Sequence, residues 1–191
     1  MRVEVFTVFL TMQLTIALMR FMELETPHLH HWFIFIYFII NNIRLFEGDV
    51  RVAKKIPSVE KKAVRPYRAL SFIVSISSKF MFIIMAYYIN SPIKFFGYFS
   101  LAILLDTFWI WNLRESIDPK KDTGEPSLRD VFRSWITLDV IVAVLLVGVC
   151  LFGFFSPGKP EIVDWAIIIG LIFCYAMLMF DFAWNYKLYF E

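Results

Sequence analysis

The sequence predicts an all-α membrane protein, a helical bundle of six transmembrane helices in three hairpins, and three observations carry that prediction. Of the 191 residues, 59% are hydrophobic and 19% aromatic, and the mean hydropathy of +0.65 is well above that of an ordinary soluble domain. Apolar runs close to the ~20 residues of one bilayer crossing follow one another along the chain with short connections between them. Basic residues gather in every second connection, which is the pattern of the positive-inside rule.

The runs span Val3 to Met22, Trp32 to Phe46, Ala69 to Ile89, Phe95 to Asn112, Ser134 to Phe155 and Ile162 to Tyr186. The first is too long for a signal-peptide core and lacks a small-residue cleavage site, so it is expected to be kept as a span. Its residues Glu4, Thr7, Thr11 and Thr15 recur at helical spacing and make one face polar. That face, with the shortness of the second run, leaves one alternative: four full spans preceded by an N-terminal re-entrant or interfacial helix pair over Val3 to Phe46. Pro92 marks the tight turn at Asn90 to Lys94, and Pro157, Gly158 and Pro160 mark that at Ser156 to Glu161. Residues 1–191 read as a single polytopic domain, with no room for a separate soluble one.

The connection 44–68 holds Arg44, Arg51, Lys54, Lys55, Lys61, Lys62, Arg65 and Arg68, and the connection 114–133 holds Arg114, Lys120, Lys121, Arg129 and Arg133. Both are expected in the cytoplasm. The intervening turns carry only Arg20 beside Glu23 and Glu25, Lys94, and Lys159 beside Glu161. Six spans with both termini cytoplasmic satisfy all five connections and place the chain in the plasma (inner) membrane. Ser127 and Asp130 have the spacing of a capping box ahead of the fifth helix. Each hairpin starts after a basic residue (Arg2, Arg68, Arg133) and ends in Asn-x-basic (Asn42 to Arg44, Asn112 to Arg114, Asn185 to Lys187). A duplicated transporter would show such an echo, but helix ends facing the cytoplasm collect basic residues anyway, and that plainer reading is preferred.

Charges inside spans cost at least ~2.5 kcal/mol each on insertion scales and are functional candidates by default. Lys79 falls roughly 15 Å from the basic end of its run, near the bilayer midplane. Asp106, Asp139 and Asp181 fall roughly 8 to 12 Å from the same side. They are expected to form an intramembrane polar cluster in which Lys79 reaches Asp106 of its own hairpin, with Ser71, Ser75 and Ser78 on the Lys79 face as hydrogen-bonding glue or the wall of a hydrated path.

Trp109, Trp111, Trp135 and Trp184 read as anchors at the inner interface, and Trp32 and Trp165 at the outer. His28, His30 and His31 crowd one turn beside Glu23 and Glu25. Three imidazoles in so short a segment cannot easily face one ion, so a solvated or pH-responsive patch is expected rather than a metal site. Cys150 and Cys174 lie in apolar runs and read as packing residues. No nucleophile-elbow, P-loop, zinc-protease or dinucleotide motif is present, no cofactor is implied, and the chain reads as non-enzymatic. A net charge of only +2 argues against direct nucleic-acid binding.

Two functions remain in view. One is a membrane scaffold or sensor subunit, a homo-oligomer in the lipid bilayer. It would recruit a cytosolic protein partner through Arg51, Lys54, Lys55, Lys61, Lys62, Arg65 and Arg68, in the format of small membrane subunits of bacterial stress or antiphage defence systems. The other is a small ion channel or transporter whose polar path runs through Lys79, Asp106, Asp139 and Asp181. The first is the expectation from sequence.

Overall fold

The computed structural model describes residues 3–59, 65–123, 127–156 and 160–186, with the side chains at 3, 57–59, 65–69, 71 and 160 outside the description. The described residues form six helices: α1 Val3–Met22, α2 Leu29–Val59, α3 Arg65–Tyr87, α4 Pro92–Ser116, α5 Leu128–Phe154 and α6 Pro160–Trp184. The all-α bundle is therefore as the hydrophobic pattern predicts. Among the described residues, four helices are long and apolar enough to cross a membrane: α1, α4, α5 and α6. In α3 the residues whose side chains are described give an apolar stretch over Phe72–Tyr87. The N-terminal run forms one 20-residue helix, and its polar face of Glu4, Thr7, Thr11 and Thr15 is exposed on the outside of the bundle.

Two boundaries differ from the sequence reading for physical reasons. Helix α2 runs 13 residues past Phe46 to Val59, so most of the basic connection 44–68 is helix rather than loop. The charges there do not end the helix, because Arg51 pairs with Glu47 one turn back at 2.6 Å while Asp49 and Val52 turn inward and are buried. Helix α5 begins at Leu128, six residues before Ser134. Its start is held by Asp122 rather than by the Ser127 and Asp130 box: the Ser127 side chain makes no cap bond to its own helix. Instead the Asp122 carboxylate accepts from the Leu128 and Arg129 amides at 3.0 Å and from the Ser127 hydroxyl at 2.7 Å.

The helices pack as a closed ring in the order α1, α3, α4, α5, α6, α2 and back to α1. Each sequential pair forms a hairpin, but the first hairpin sits the other way round, since α1 rather than α2 lies against α3. Three copies of one hairpin arranged by duplication would all face the same way round the ring. The ring therefore does not repeat the 70-residue echo.

Inside the ring, two apolar cores are separated along the helix axes. The larger lies toward the short turns and is rich in aromatics: Tyr37, Phe38, Phe82, Phe95, Phe96 and Phe99 are all buried, with edge contacts such as Tyr37 to Phe99 at 5.6 Å. The smaller lies toward the long connections and contains Val52, Ile110, Ile117, Leu128, Val131 and Phe132, together with Trp109 and Trp135. Trp109 and Trp135 are thus core residues rather than interfacial anchors, whereas Trp32, Trp111, Trp165 and Trp184 are exposed. The outer surface is apolar. On α6, Met179 and Phe180 are 68% and 61% exposed while the next residue, Asp181, is fully buried. Greasy side chains outside and charges inside mark a chain whose solvent is lipid.

A buried charged layer as candidate functional site

Between the two cores lies a layer of charge to which five helices contribute. α2 supplies Arg44 and Asp49, α3 supplies Ser78 and Lys79, α4 Asp106, α5 Asp139 and α6 Asp181, all at least nine-tenths buried. Arg44 Nη1 stands 3.1 Å from Asp181 Oδ2. Lys79 Nζ stands 2.8 Å from Asp49 Oδ2 and 3.8 Å from Asp106 Oδ1. The Ser78 hydroxyl donates to Asp106 at 3.0 Å. The Asn185 amide donates to Asp181 at 2.7 Å and is tied in turn to Ser134 on α5. From α1, the Gln13 amide donates to the Lys79 carbonyl at 3.1 Å, so the sixth helix is attached to the same layer.

Each bond here is worth more than its surface equivalent and is costlier to leave half made. Lys79 also has the faces of Trp109, Phe6 and Phe82 within 5.6 to 5.9 Å, contacts favourable to an ammonium group held away from water. Asp139 differs from the other three carboxylates: among the described residues no cation stands within ion-pair distance of it.

Two small cavities open on this layer. One, of about 10 Å³, is lined by Arg44, Asp49, Asp106, Trp135 and Asp139. The other, of about 20 Å³, is lined by Gln13, Asn42, Asp49 and Lys79 with apolar walls. Each is close to the size of a single water site, and Asp49 lines both.

The sequence reading placed Lys79, Asp106, Asp139 and Asp181 in one cluster, and the structure brings them into one layer. It adds Arg44 and Asp49, which sequence assigned to a cytoplasmic loop, and it makes Asp49 rather than Asp106 the nearer partner of Lys79. The signal available in the sequence was spacing. Asn41, Arg44, Gly48 and Val52 recur at three and four residues, so the buried face of α2 continues beyond Phe46. Of the serines, Ser78 joins the layer and Ser75 is buried with its hydroxyl unpartnered among the described residues, while the Ser71 side chain lies outside the description. Among the basic candidates, Lys54 and Lys55 are exposed and Arg51 half-buried on α2. Lys61 and Lys62, and the side chains of Arg65 and Arg68, lie outside the described residues.

The histidine turn is separate from this layer. The His31 ring accepts from the His28 amide at 3.2 Å. Burial and the neighbouring imidazoles lower the His31 pKa below its ordinary value, and burial with the His28 ring lowers that of His30. Among the described residues, no group of three or more His, Cys, Asp or Glu side chains is arranged to hold a metal ion. Cys150 and Cys174 are free thiols among apolar neighbours. Compared with protein-family models, curated proteins and solved structures, the chain finds no match.

Proposed function

We propose that this chain is a small membrane channel or transporter that handles protons or small cations through the buried charged layer. The observation that carries this reading is a charge count: among the described residues, four carboxylates, Asp49, Asp106, Asp139 and Asp181, share one buried layer with two cations, Arg44 and Lys79. Purely structural pairing needs matched partners, and Arg44 with Asp181 and Lys79 with Asp49 would satisfy it. Asp106 and Asp139 are surplus acid, each expensive in a low-dielectric interior unless it carries a proton or faces a cation. Surplus buried acid is what proton relays and cation paths use. Asp49 lines both water-sized cavities, so each has room for a water molecule beside a carboxylate of the layer. By the positive-inside rule, the long basic connections face the cytoplasm and so do both termini, in a plasma (inner) membrane.

The test is flux. Protein reconstituted in liposomes with a pH-sensitive dye should dissipate an imposed proton or cation gradient faster than empty liposomes, and Asp106→Asn or Lys79→Met should slow it at least tenfold while the purified protein keeps its helix content. Wild-type protein indistinguishable from empty liposomes would end this reading.

One observation favours a second reading, a scaffold or sensor subunit that recruits a cytosolic partner. At 31 residues, α2 is about 46 Å long, well beyond the ~30 Å hydrocarbon thickness, and its far end presents Lys54 and Lys55. Neutralising Lys54, Lys55, Lys61 and Lys62 should then release a stoichiometric soluble partner that copurifies with the wild type.

A further inference from the structure

Resting on the proton or cation reading above, we propose that Asp139 carries the exchangeable proton of the charged layer, and that the ion handled is the proton rather than a metal cation. Three of the four carboxylates have a cation within ion-pair distance. Asp181 has Arg44 at 3.1 Å and Asn185 at 2.7 Å, Asp49 has Lys79 at 2.8 Å, and Asp106 has the Ser78 hydroxyl at 3.0 Å with Lys79 at 3.8 Å. Asp139 is 5% exposed and has no ion-pair partner among the described residues.

The groups that face it are Tyr37, Arg44 and Asp49 from α2, Asp106 and Thr107 from α4, the Thr107 hydroxyl as a hydrogen-bond partner, Trp135 one turn back on α5, and Asp181 from α6. The nearby cation, Arg44, is engaged by Asp181, and the other charges are carboxylates. Ionised, Asp139 would add a third negative charge beside Asp106 and Asp181, with Arg44 already engaged by Asp181; a proton on Asp139 removes that repulsion.

The cavity wall decides between a proton and a metal ion. A hard cation needs a shell of oxygen ligands, whereas this cavity of about 10 Å³ is lined by Arg44, Leu45, Ile110 and Trp135 as well as by Asp49, Asp106 and Asp139. The guanidinium repels a cation. The Trp135 Nε1–H is a buried donor with no acceptor among the described residues, and it calls for an oxygen lone pair. A water molecule meets both demands, accepting from Trp135 and donating to the carboxylates, and the volume fits one. Through it the transfer balances. The Asp139 O–H bond breaks as its proton joins the water oxygen, and a different water O–H breaks to protonate Asp106 or Asp49. This leaves Asp139 ionised, the acceptor neutral and the water unchanged.

Infrared difference spectroscopy of the full chain in lipid nanodiscs tests this through the C=O stretch of a protonated carboxylic acid. The wild type should show that band near neutral pH and lose it as pH rises. Asp139→Asn should abolish it, Asp139→Glu should move it, and Asp106→Asn should keep it while shifting its loss to lower pH. Exchanging potassium for sodium at fixed pH should not shift the titration. A wild type without the band, a band that survives Asp139→Asn, or one that Asp106→Asn removes at every pH overturns the assignment to Asp139. A band that Asp139→Glu leaves unmoved does the same, even where Asp139→Asn fails to fold. A sodium-dependent shift overturns the choice of proton over metal cation. Liposomes that move no protons, with the band behaving as expected, would remove the transport reading and leave Asp139 as the protonated group.

Discussion

The aromatic core and the charged layer beside it are built from the same helices, yet they are held together by different physics. In a bilayer, burying Phe82 or Phe99 gains little from leaving lipid, so the aromatic core rests on shape, on close contacts that a different side chain would disturb. The charged layer rests on partners. Remove one and the other remains, ionised or forced to take up a proton, in surroundings that cannot solvate it. The comparison teaches that shape changes should be felt in the first region and charge changes in the second, with the second felt more strongly.

The largest effect is therefore expected at Arg44. Replacing it by Met leaves Asp181 fully buried without its guanidinium, though Asn185 still donates to it, and losing one partner of a buried pair costs about 3–5 kcal/mol. Chemical unfolding in mixed micelles should show that loss for Arg44→Met. It should also show most of it recovered when Asp181→Asn is added, because the double variant has no charge left to strand. A double variant as unstable as Arg44→Met alone would mean that the guanidinium contributes packing rather than charge.

A smaller effect is expected in the aromatic core at Gly170 of α6. A Cβ there would stand 2.8 to 3.1 Å from three atoms of the Phe96 ring, and Phe96 is fully buried. Gly170→Ala should cost about 1–3 kcal/mol as overpacking. Gly148 on α5 is the control: a Cβ there meets nothing within 4 Å, so Gly148→Ala should be neutral or slightly stabilising. If the two substitutions behave alike, the close fit of Phe96 against α6 is not what holds this region.

The comparison also explains what could be read in advance. The apolar half was legible because hydrophobic runs report helices directly, and the first run ends where α1 does, at Met22. Lys79, Asp106, Asp139 and Asp181 were legible because a charge inside an apolar run is conspicuous. Arg44 and Asp49 were not, since they sit where the run has ended and charge looks like an ordinary loop. The way α2 carries its buried face past Phe46 depends on which helix lies opposite, and ring order is a tertiary property. The same reason hid the core roles of Trp109 and Trp135, whose spacing alone fits an interfacial belt equally well.

Outside both regions, at the start of α5, the same contrast holds on a reduced scale. Burial opposes ionisation of Asp122, but the amides of Arg129 and Leu128 and the Ser127 hydroxyl outweigh it and hold its carboxyl below the usual carboxylate range. Because the folded-state pKa is the lower one, the stabilisation is complete above the unfolded value of about 3.9 and fades as pH falls through the folded value. Asp122→Ala should cost about 1 kcal/mol at neutral pH, the usual worth of a helix cap. Asp122→Asn, which still offers an acceptor oxygen, should cost less and should abolish the acid-side decline attributable to this residue. The decline persisting in Asp122→Asn would assign it elsewhere, and a cost near that of Arg44→Met would mean that the α5 cap supports the charged layer directly, through the placement of Trp135 and Asp139 farther along the helix.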